Sequence, residues 1–203
     1  EWSLDPRQAR EKLRVFRLPD PRHYVLELVQ TAVLRGASHL DITVDADDVR
    51  FGFDGQPFSL HDLDNIYGAV FTPRQDPAAE ARRELALGIN AAMALRPRFV
   101  RVRSGDGTTG TELRMAPDAE DQVGPAREPI DGTEIHVHSR LGSGVVGRFF
   151  AHLAGKPFEV ALIRERCSAC PARLTVNGEV LPRSFTSFPE TVAAVDVTAP
   201  GIV

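Results

Sequence analysis

The stretch from Pro21 to Phe53 constrains the fold of this chain more strongly than any other. Its first half repeats apolar residues at helical spacing, and Asp20, Pro21 and Gly36 are typical of a helix start and a helix end. Its second half holds two runs of alternating apolar residues on either side of Asp47-Asp48, which predict two strands joined by a tight turn. We therefore expect a helix followed by a β-hairpin, and we expect the rest of the chain to pack against these elements.

One polar face of the predicted helix carries Glu27. Thr31 follows four residues later and therefore shares that face, with Gln30 beside them. A glutamate on an amphipathic helix is ordinarily a solvated surface residue. This face becomes a candidate site only if other parts of the chain point to the same chemistry.

Composition and charge exclude several classes of protein. The 203 residues are 42% hydrophobic and 26% charged, which provides enough apolar material for one globular core and excludes a disordered chain. The net charge of −4 predicts no basic surface that could follow nucleic-acid phosphates. No apolar run approaches the roughly 20 residues that a membrane-spanning helix needs. We therefore expect neither nucleic acid nor a membrane as a partner.

We expect three regions along the chain. Residues 1–19 form a helical arm, residues 20–140 form the core, and residues 141–203 add a helix and a hairpin that complete the domain or lead to the next one. Because the chain opens at Glu1 and not at Met, we expect it to be a domain of a longer protein. Its two cysteines do not suit a disulfide-stapled secreted protein, so a cytoplasmic location is the default expectation.

The middle of the chain predicts a loop, a long helix and further strands. Residues 72–77 are rich in helix breakers and predict a lid-like loop, whereas Ala78 to Leu95 has helical spacing with Gly88 inside it. A glycine inside a helix costs about 1 kcal/mol relative to alanine, so either the helix begins near Gly88 or its backbone needs a glycine there. Residues 117–129 predict a surface loop. Strands are predicted at Phe99–Arg103, Thr111–Met115 and Thr133–His138, and a hairpin at Leu174–Leu181.

Two residue pairs have the spacing of partial metal sites. His136 and His138 are two apart on a predicted strand and so point to the same side, which can suit a metal ion. Because the sequence places no third ligand near them, we interpret them as surface residues. Cys167 and Cys170 have the spacing of half a zinc site or of a redox pair, and we interpret them as incidental thiols in a helix-to-strand connection.

Four short motifs, in order, resemble those of the GHKL ATPase superfamily, and most closely its ninety-kilodalton heat-shock chaperone branch. Glu27-Leu-Val-Gln-Thr-Ala32 is similar to the first box of that family, Glu-Leu-x-x-Asn-Ala. The later motifs are Phe53–Pro57 for the Asp-x-Gly-x-Gly box, Arg83–Asn90 for the glycine-rich lid-to-helix turn, and Asp131–Ile135 for the Gly-Thr box. The resemblance covers residues 20–140, and more weakly residues 141–181.

The resemblance implies an α/β (α+β) two-layer sandwich of the Bergerat type, with a mixed, mainly antiparallel sheet covered by helices on one face. It implies ATP or ADP as the ligand and Glu27 as the base that orients and deprotonates the attacking water. Thr31 stands where the family has a magnesium-binding Asn, which weakens the case for magnesium. The nucleotide contacts implied by the resemblance are Thr31, Asp54, Gly55, Gly88, Asn90 and Thr133.

These implied contacts have separate roles. Asp54 would accept the adenine amino group, the Thr133 hydroxyl would hold the same end of the nucleotide, and backbone N–H groups at Gly88 would bind phosphates. A strict alignment of the glycines places Phe53 at the position of the adenine-binding Asp, which would remove that contact.

Two functions stay open. The first is an ATP-binding, chaperone-like domain with slow or absent hydrolysis, whose lid over residues 72–87 switches contacts with a protein partner or client. The second is a pseudo-ATPase, in which the fold is an interaction or homodimerisation scaffold that no longer binds nucleotide. Glu27, Gly88 and Gly132-Thr133 favour the first function. Thr31 in place of Asn, together with the Phe53–Pro57 segment, favours the second.

Overall fold

The computed structural model describes residues 18–71, 76–139 and 157–182 and shows an α+β fold. The described helices are α1 (Tyr24–Leu34), α2 (Leu60–Asp64), α3 (Pro77–Ala94) and α4 (Phe158–Arg166). The described strands are β1 (His39–Val44), β2 (Asp48–Phe53), β3 (Phe99–Asp106), β4 (Gly110–Met115), β5 (Gln122–Pro125), β6 (Asp131–His138), β7 (Arg173–Val176) and β8 (Glu179–Val180).

These eight strands form one mixed sheet in the order β5-β4-β3-β6-β2-β1-β7-β8. Each neighbouring pair is antiparallel except β1 and β7, which run parallel. The predicted fold class, a two-layer sandwich with a mixed and mainly antiparallel sheet, is confirmed. None of the described helices is long and apolar enough to cross a bilayer.

α1 buries the apolar stripe that its sequence predicts. The Asp20 carboxylate accepts the N–H of Arg22 at 2.9 Å, and a 3₁₀ turn over Pro21–His23 leads into the helix. α1 itself therefore begins at Tyr24, three residues after the predicted start. Its buried residues are Tyr24, Val25, Leu28, Val29, Thr31 and Ala32.

Alternation along the strands separates two faces of the sheet. Leu40, Ile42 and Val44 of β1 are buried in the core, whereas Asp41 and Thr43 are exposed on the other side. Because successive side chains of a strand point to opposite faces, the antiparallel pairing of β1, β2 and β6 continues this separation into the middle of the sheet. We call the side of Asp41 and Thr43 the open face, and the other side the helix-covered face.

α3 runs without a break from Pro77 to Ala94. The alternative that this helix begins near Gly88 is therefore wrong, and the alternative that its backbone needs a glycine is confirmed. A Cβ atom on Gly88 would lie 2.7 Å from Leu28 Cδ2, because α1 and α3 are in close contact there. Residues 77–87 of the predicted lid are helical, and residues 72–75 lie outside the described residues.

The last described segment extends the same sheet. β7 pairs with β1, and the predicted Asn177-Gly178 turn joins β7 to β8. The Asn177 side chain ties this turn to β1, because its amide oxygen accepts the N–H of Val44 at 2.8 Å and its amide nitrogen donates to the Val44 carbonyl at 3.2 Å. Residues 1–17 of the predicted arm, and residues 140–156 with the helix predicted there, lie outside the described residues.

The prediction of a surface loop over residues 117–129 is wrong at Gln122–Pro125, which form β5. β5 pairs with β4 at the edge of the sheet, with Val123 opposite Leu113. Backbone hydrogen bonds hold such an edge strand, and its side chains need not alternate between apolar and polar. The sequence of this segment therefore carries no strand pattern.

Gly132→Ala should destabilise the fold more than Gly178→Ala. The two glycines have φ values of +83° and +80°, so alanine is strained at either position and costs about 1 kcal/mol. A Cβ atom on Gly132 would also lie 2.4 Å from the Phe53 carbonyl oxygen, whereas one on Gly178 meets no described atom within 4 Å. This clash adds a further ~1–3 kcal/mol, which urea denaturation of both variants measures. Equal losses would contradict the close approach of β2 and β6.

Candidate functional site

The structure divides the predicted site residues between two places. Glu27 on α1 lies against Gly88 on α3, where a Cβ atom on Gly88 would be 3.3 Å from the Glu27 Cβ. Asp54 and Thr133 lie at the second place, because Phe53 at the end of β2 pairs with Thr133 near the start of β6. We call these places the Glu27 end and the Thr133 end.

A second carboxyl group meets Glu27 at the Glu27 end. Glu84, one turn before Gly88 on α3, is only 4% exposed and is hydrogen-bonded to Glu27. Burial raises the pKa of Glu27 to about 8, with further contributions from the hydrogen bond and charge of Glu84, while Arg83 opposes the increase. The Glu27–Glu84 pair therefore retains a proton to higher pH than ordinary carboxyl groups do, and a protonated carboxyl group cannot accept a proton from water.

Glu84 is absent from the predicted site, although its spacing carries a signal. Residues four apart on a helix share a face, so a contact between Gly88 and α1 also places Glu84 against α1. The sequence does not show that α1 supplies a second carboxyl group at that point, because this depends on how the two helices cross.

Thr31 and Asn90 do not join Glu27 in a shared site. Thr31 is fully buried, and its hydroxyl donates to the backbone carbonyl of Glu27 at 2.8 Å, so it faces no solvent from which a metal ion could bind. Asn90 lies two residues after Gly88 and therefore about 200° around α3, away from the contact with α1. Nucleotide contacts by Thr31 and Asn90 stay predictions that this packing does not support.

Asp54 points away from the helix-covered face. Alternation along β2 turns Phe53 into the core, and the Asp54 carboxylate instead accepts the backbone N–H groups of Ser38 at 2.8 Å and His39 at 2.7 Å, together with the Ser38 hydroxyl. The hydrogen bond from the Ser38 side chain, followed by the one from the His39 N–H, lowers the pKa of Asp54 to about 2. Asp54 thus joins β2 to the α1–β1 connection.

The Thr133 hydroxyl belongs to a buried hydrogen-bond network. Its Oγ1 lies 2.7 Å from the Ser104 Oγ, which also accepts the backbone N–H of Phe58 at 2.8 Å. Thr111 completes the arrangement, because its hydroxyl donates to the Phe58 carbonyl at 3.2 Å. Phe58 is 2% exposed, so its ring is buried as well as its backbone groups. The polar groups at this end are therefore satisfied within the chain.

Arg35 holds the segment that leads to Phe58. Its Nε donates to the Gln56 carbonyl at 2.7 Å, its Nη2 donates to the Pro57 carbonyl, and its guanidinium carbon lies 4.5 Å from the centre of the Phe58 ring. Burial lowers the pKa of Arg35 from its ordinary value. Gly55 allows this approach, since a Cβ atom there would lie 2.7 Å from the Arg35 carbonyl oxygen. Arg35 is absent from the sequence prediction, because none of the four motifs includes it.

Phosphate binding at Gly88 lacks the helix start that it requires. Backbone N–H groups are available to an anion only in the first turn of a helix, and Gly88 lies in the interior of α3. Of the two alternatives for Gly88, the one that makes it a helix start is wrong. At the actual start, the Asp76 carboxylate accepts the N–H of Ala79 at 2.7 Å, which places a negative charge where a phosphate would bind.

The interpretation of His136 and His138 as surface residues without a third ligand is wrong. Both imidazoles hydrogen-bond to Asp48, the first residue of β2. The sequence separates Asp48 from the histidines by almost ninety positions, so spacing alone carries no signal for this contact. Cys167 and Cys170 are buried in the α4–β7 connection, where burial raises the pKa of Cys167 to about 11 and keeps it a thiol.

Comparisons with known proteins add no family to this description. No protein-family model matches the chain, and no curated protein matches it. The resemblance to the GHKL superfamily therefore rests on the four sequence motifs alone.

The protein should lose stability through Glu27 as the pH rises from about 4.5 to about 8. The folded protein keeps a proton on Glu27 over this range, whereas the unfolded chain releases it, so each rise in pH favours the unfolded state. Thermal denaturation at several pH values measures the slope. Glu27→Gln cannot ionise and should reduce the slope, and Glu128→Gln, at an exposed position, should leave it unchanged. Identical slopes in wild type and Glu27→Gln would refute the raised pKa.

Proposed function

We propose that this chain is a pseudo-ATPase scaffold: a cytoplasmic interaction or dimerisation module with a GHKL-type fold that no longer binds nucleotide. The observation that carries the proposal is the closed network at the Thr133 end. The Thr133 hydroxyl is hydrogen-bonded to the Ser104 hydroxyl, which also accepts the backbone N–H of Phe58. The hydroxyl that the resemblance assigns to adenine therefore already has its partner within the chain.

A nucleotide that reached Thr133 would have to displace this network. Exposing the Phe58 ring costs about 1.5–3 kcal/mol, and each buried polar group left without a partner costs about 1–3 kcal/mol. If only the opened form binds, the measured affinity falls in proportion to the fraction of molecules that are open. These costs favour a site that stays filled by its own residues.

The Glu27 end supports the same proposal. Glu27 shares a hydrogen bond with Glu84, and burial raises its pKa, so a smaller fraction of it is ionised and available as a base for hydrolysis. Gly88 offers no free helix start to a phosphate, and the Thr31 hydroxyl is buried where a magnesium ligand would be needed. A different contact thus opposes each of three activities: phosphate binding, magnesium binding and catalysis of hydrolysis.

The edges of the sheet support a role in binding a protein partner or client, or a second copy of this chain. Within the described ranges, β5 and β8 each pair with one neighbouring strand. An edge strand presents backbone groups that can pair with a strand of another chain. Val180 of β8 adds an apolar side chain that is 51% exposed.

ATP binding with slow hydrolysis is the second candidate, and one observation favours it. The pairing of Phe53 with Thr133 places the second and fourth motifs side by side, as the resemblance implies for a nucleotide site. In this case the Phe58 segment moves aside when nucleotide binds, and Glu27 acts as a base above its raised pKa.

Calorimetric titration with ADP and with a non-hydrolysable ATP analogue, each with and without magnesium, distinguishes the two candidates. The scaffold proposal predicts no heat of binding and no shift in melting temperature at millimolar nucleotide, because the site is already filled. Micromolar binding would overturn it. In that case, ATP turnover should be lost in Glu27→Gln and retained in Glu128→Gln.

Sedimentation over a range of protein concentrations tests the scaffold role directly. A dimer whose dissociation constant does not change on addition of ATP supports a nucleotide-independent module. A dimer that forms or dissociates only with ATP favours the second candidate, because it requires nucleotide to bind one state preferentially.

A further inference from the structure

Two histidines and a carboxylate converge on the open face of the sheet. His136 and His138 project from β6, and Asp48 of β2 lies directly opposite His138 in the strand register. The Asp48 Oδ1 is hydrogen-bonded to His138 Nδ1 at 2.9 Å and to His136 Nε2. One ligand atom from each of the three residues lies within 4.8 Å of the other two.

We propose that Asp48, His136 and His138 bind a divalent transition-metal ion of the zinc class. Imidazole nitrogen and carboxylate oxygen are the donors that zinc takes in proteins, at roughly 2.0–2.2 Å. Donors around a tetrahedral ion at that distance are roughly 3.4 Å apart, so the three atoms need only small shifts to surround an ion. Three protein ligands leave a fourth position for water or for a ligand from a partner.

The sheet holds these ligands in place before any ion binds. β6 lies between β2 and β3 in the interior of the sheet, and it is hydrogen-bonded on both sides. Phe99 of β3 packs against both imidazoles, with ring centres 5.0 Å from His136 and 5.1 Å from His138. His136 is only 6% exposed. Ligands fixed in this way lose little conformational entropy on binding.

Two arginines that flank His136 in the strand register, Arg50 and Arg101, are each paired with a carboxylate. Arg50 Nη2 lies 3.6 Å from Asp48 Oδ2, on the carboxylate oxygen that does not face the histidines. Arg101, opposite His136 in the register, has its Nη2 3.6 Å from Glu134 Oε1. Asp48 therefore binds the ion through Oδ1 alone, and Arg50 orients the carboxylate from the other side.

This site is independent of the proposed function. Thr133 and its partner Ser104 lie on the helix-covered face, whereas His136 and His138 occupy the alternate positions of the same strand and lie on the opposite side. Loss of nucleotide binding therefore neither requires nor excludes the metal site.

Titration of the full chain with zinc chloride by calorimetry tests the proposal. We expect one equivalent of zinc to bind with micromolar or tighter affinity and to raise the melting temperature, because the folded state alone presents the three ligands together. Cobalt(II) should bind at the same place and give the visible spectrum of a four- or five-coordinate ion without a sulfur charge-transfer band. Absence of saturable binding up to about 1 mM zinc would overturn the proposal, as would a cobalt spectrum with thiolate bands.

Matched variants identify the ligands. His138→Gln and Asp48→Asn should each weaken zinc binding at least about tenfold, whereas His39→Gln, at an exposed position on β1, should bind zinc like wild type. The double variant Cys167→Ser/Cys170→Ser should also bind like wild type. Unchanged affinity in His138→Gln and Asp48→Asn, or loss of binding in the cysteine variant, would assign the ion to another place.

Nitrogen NMR of the histidine rings decides the question in the unaltered protein if a variant fails to fold. Zinc should shift the resonances of His136 Nε2 and His138 Nδ1, because these nitrogens become its ligands. The resonances of His39 and His61 serve as internal controls and should not move. Shifts confined to the control residues would overturn the assignment.

Discussion

The close contact between α1 and α3 at Gly88 is the constraint on which the chemistry of this protein depends. Because Gly88 has no side chain, Leu28 and Glu27 pack directly against the α3 backbone. The same contact buries Glu84 beside Glu27, and burial next to a second carboxyl group raises the pKa of Glu27. One packing contact thus raises the pKa of the glutamate of the first motif.

At the Thr133 end, packing likewise determines the chemistry, although the groups there are uncharged. A buried hydroxyl must find a hydrogen-bond partner, and Thr133 finds it in Ser104 and not in a ligand. The Phe58 ring and the Arg35 guanidinium fill the adjoining space. Segments that resemble nucleotide-binding motifs therefore take part in the core of the domain.

The two faces of the sheet carry separate chemistry. Along β6, Thr133 belongs to the covered network while His136 and His138 belong to the open face, because side chains alternate along a strand. The covered face is determined by packing against α1 and α3. On the open face, the strand register brings Asp48 to the histidines.

Local periodicity determined α1, the β1–β2 hairpin, the Asn177-Gly178 turn and the shared direction of His136 and His138, because residues a few positions apart carry that information. The sequence also left two interpretations of Gly88, a helix start or a close contact with another element. Only the tertiary structure distinguishes them, and it shows the close contact. Tertiary structure alone decided that β7 joins β1, that Glu84 meets Glu27, and that Asp54 binds Ser38 and His39. These outcomes depend on strand register and helix crossing between residues far apart in the chain, and a shift of one residue turns a side chain to the opposite face.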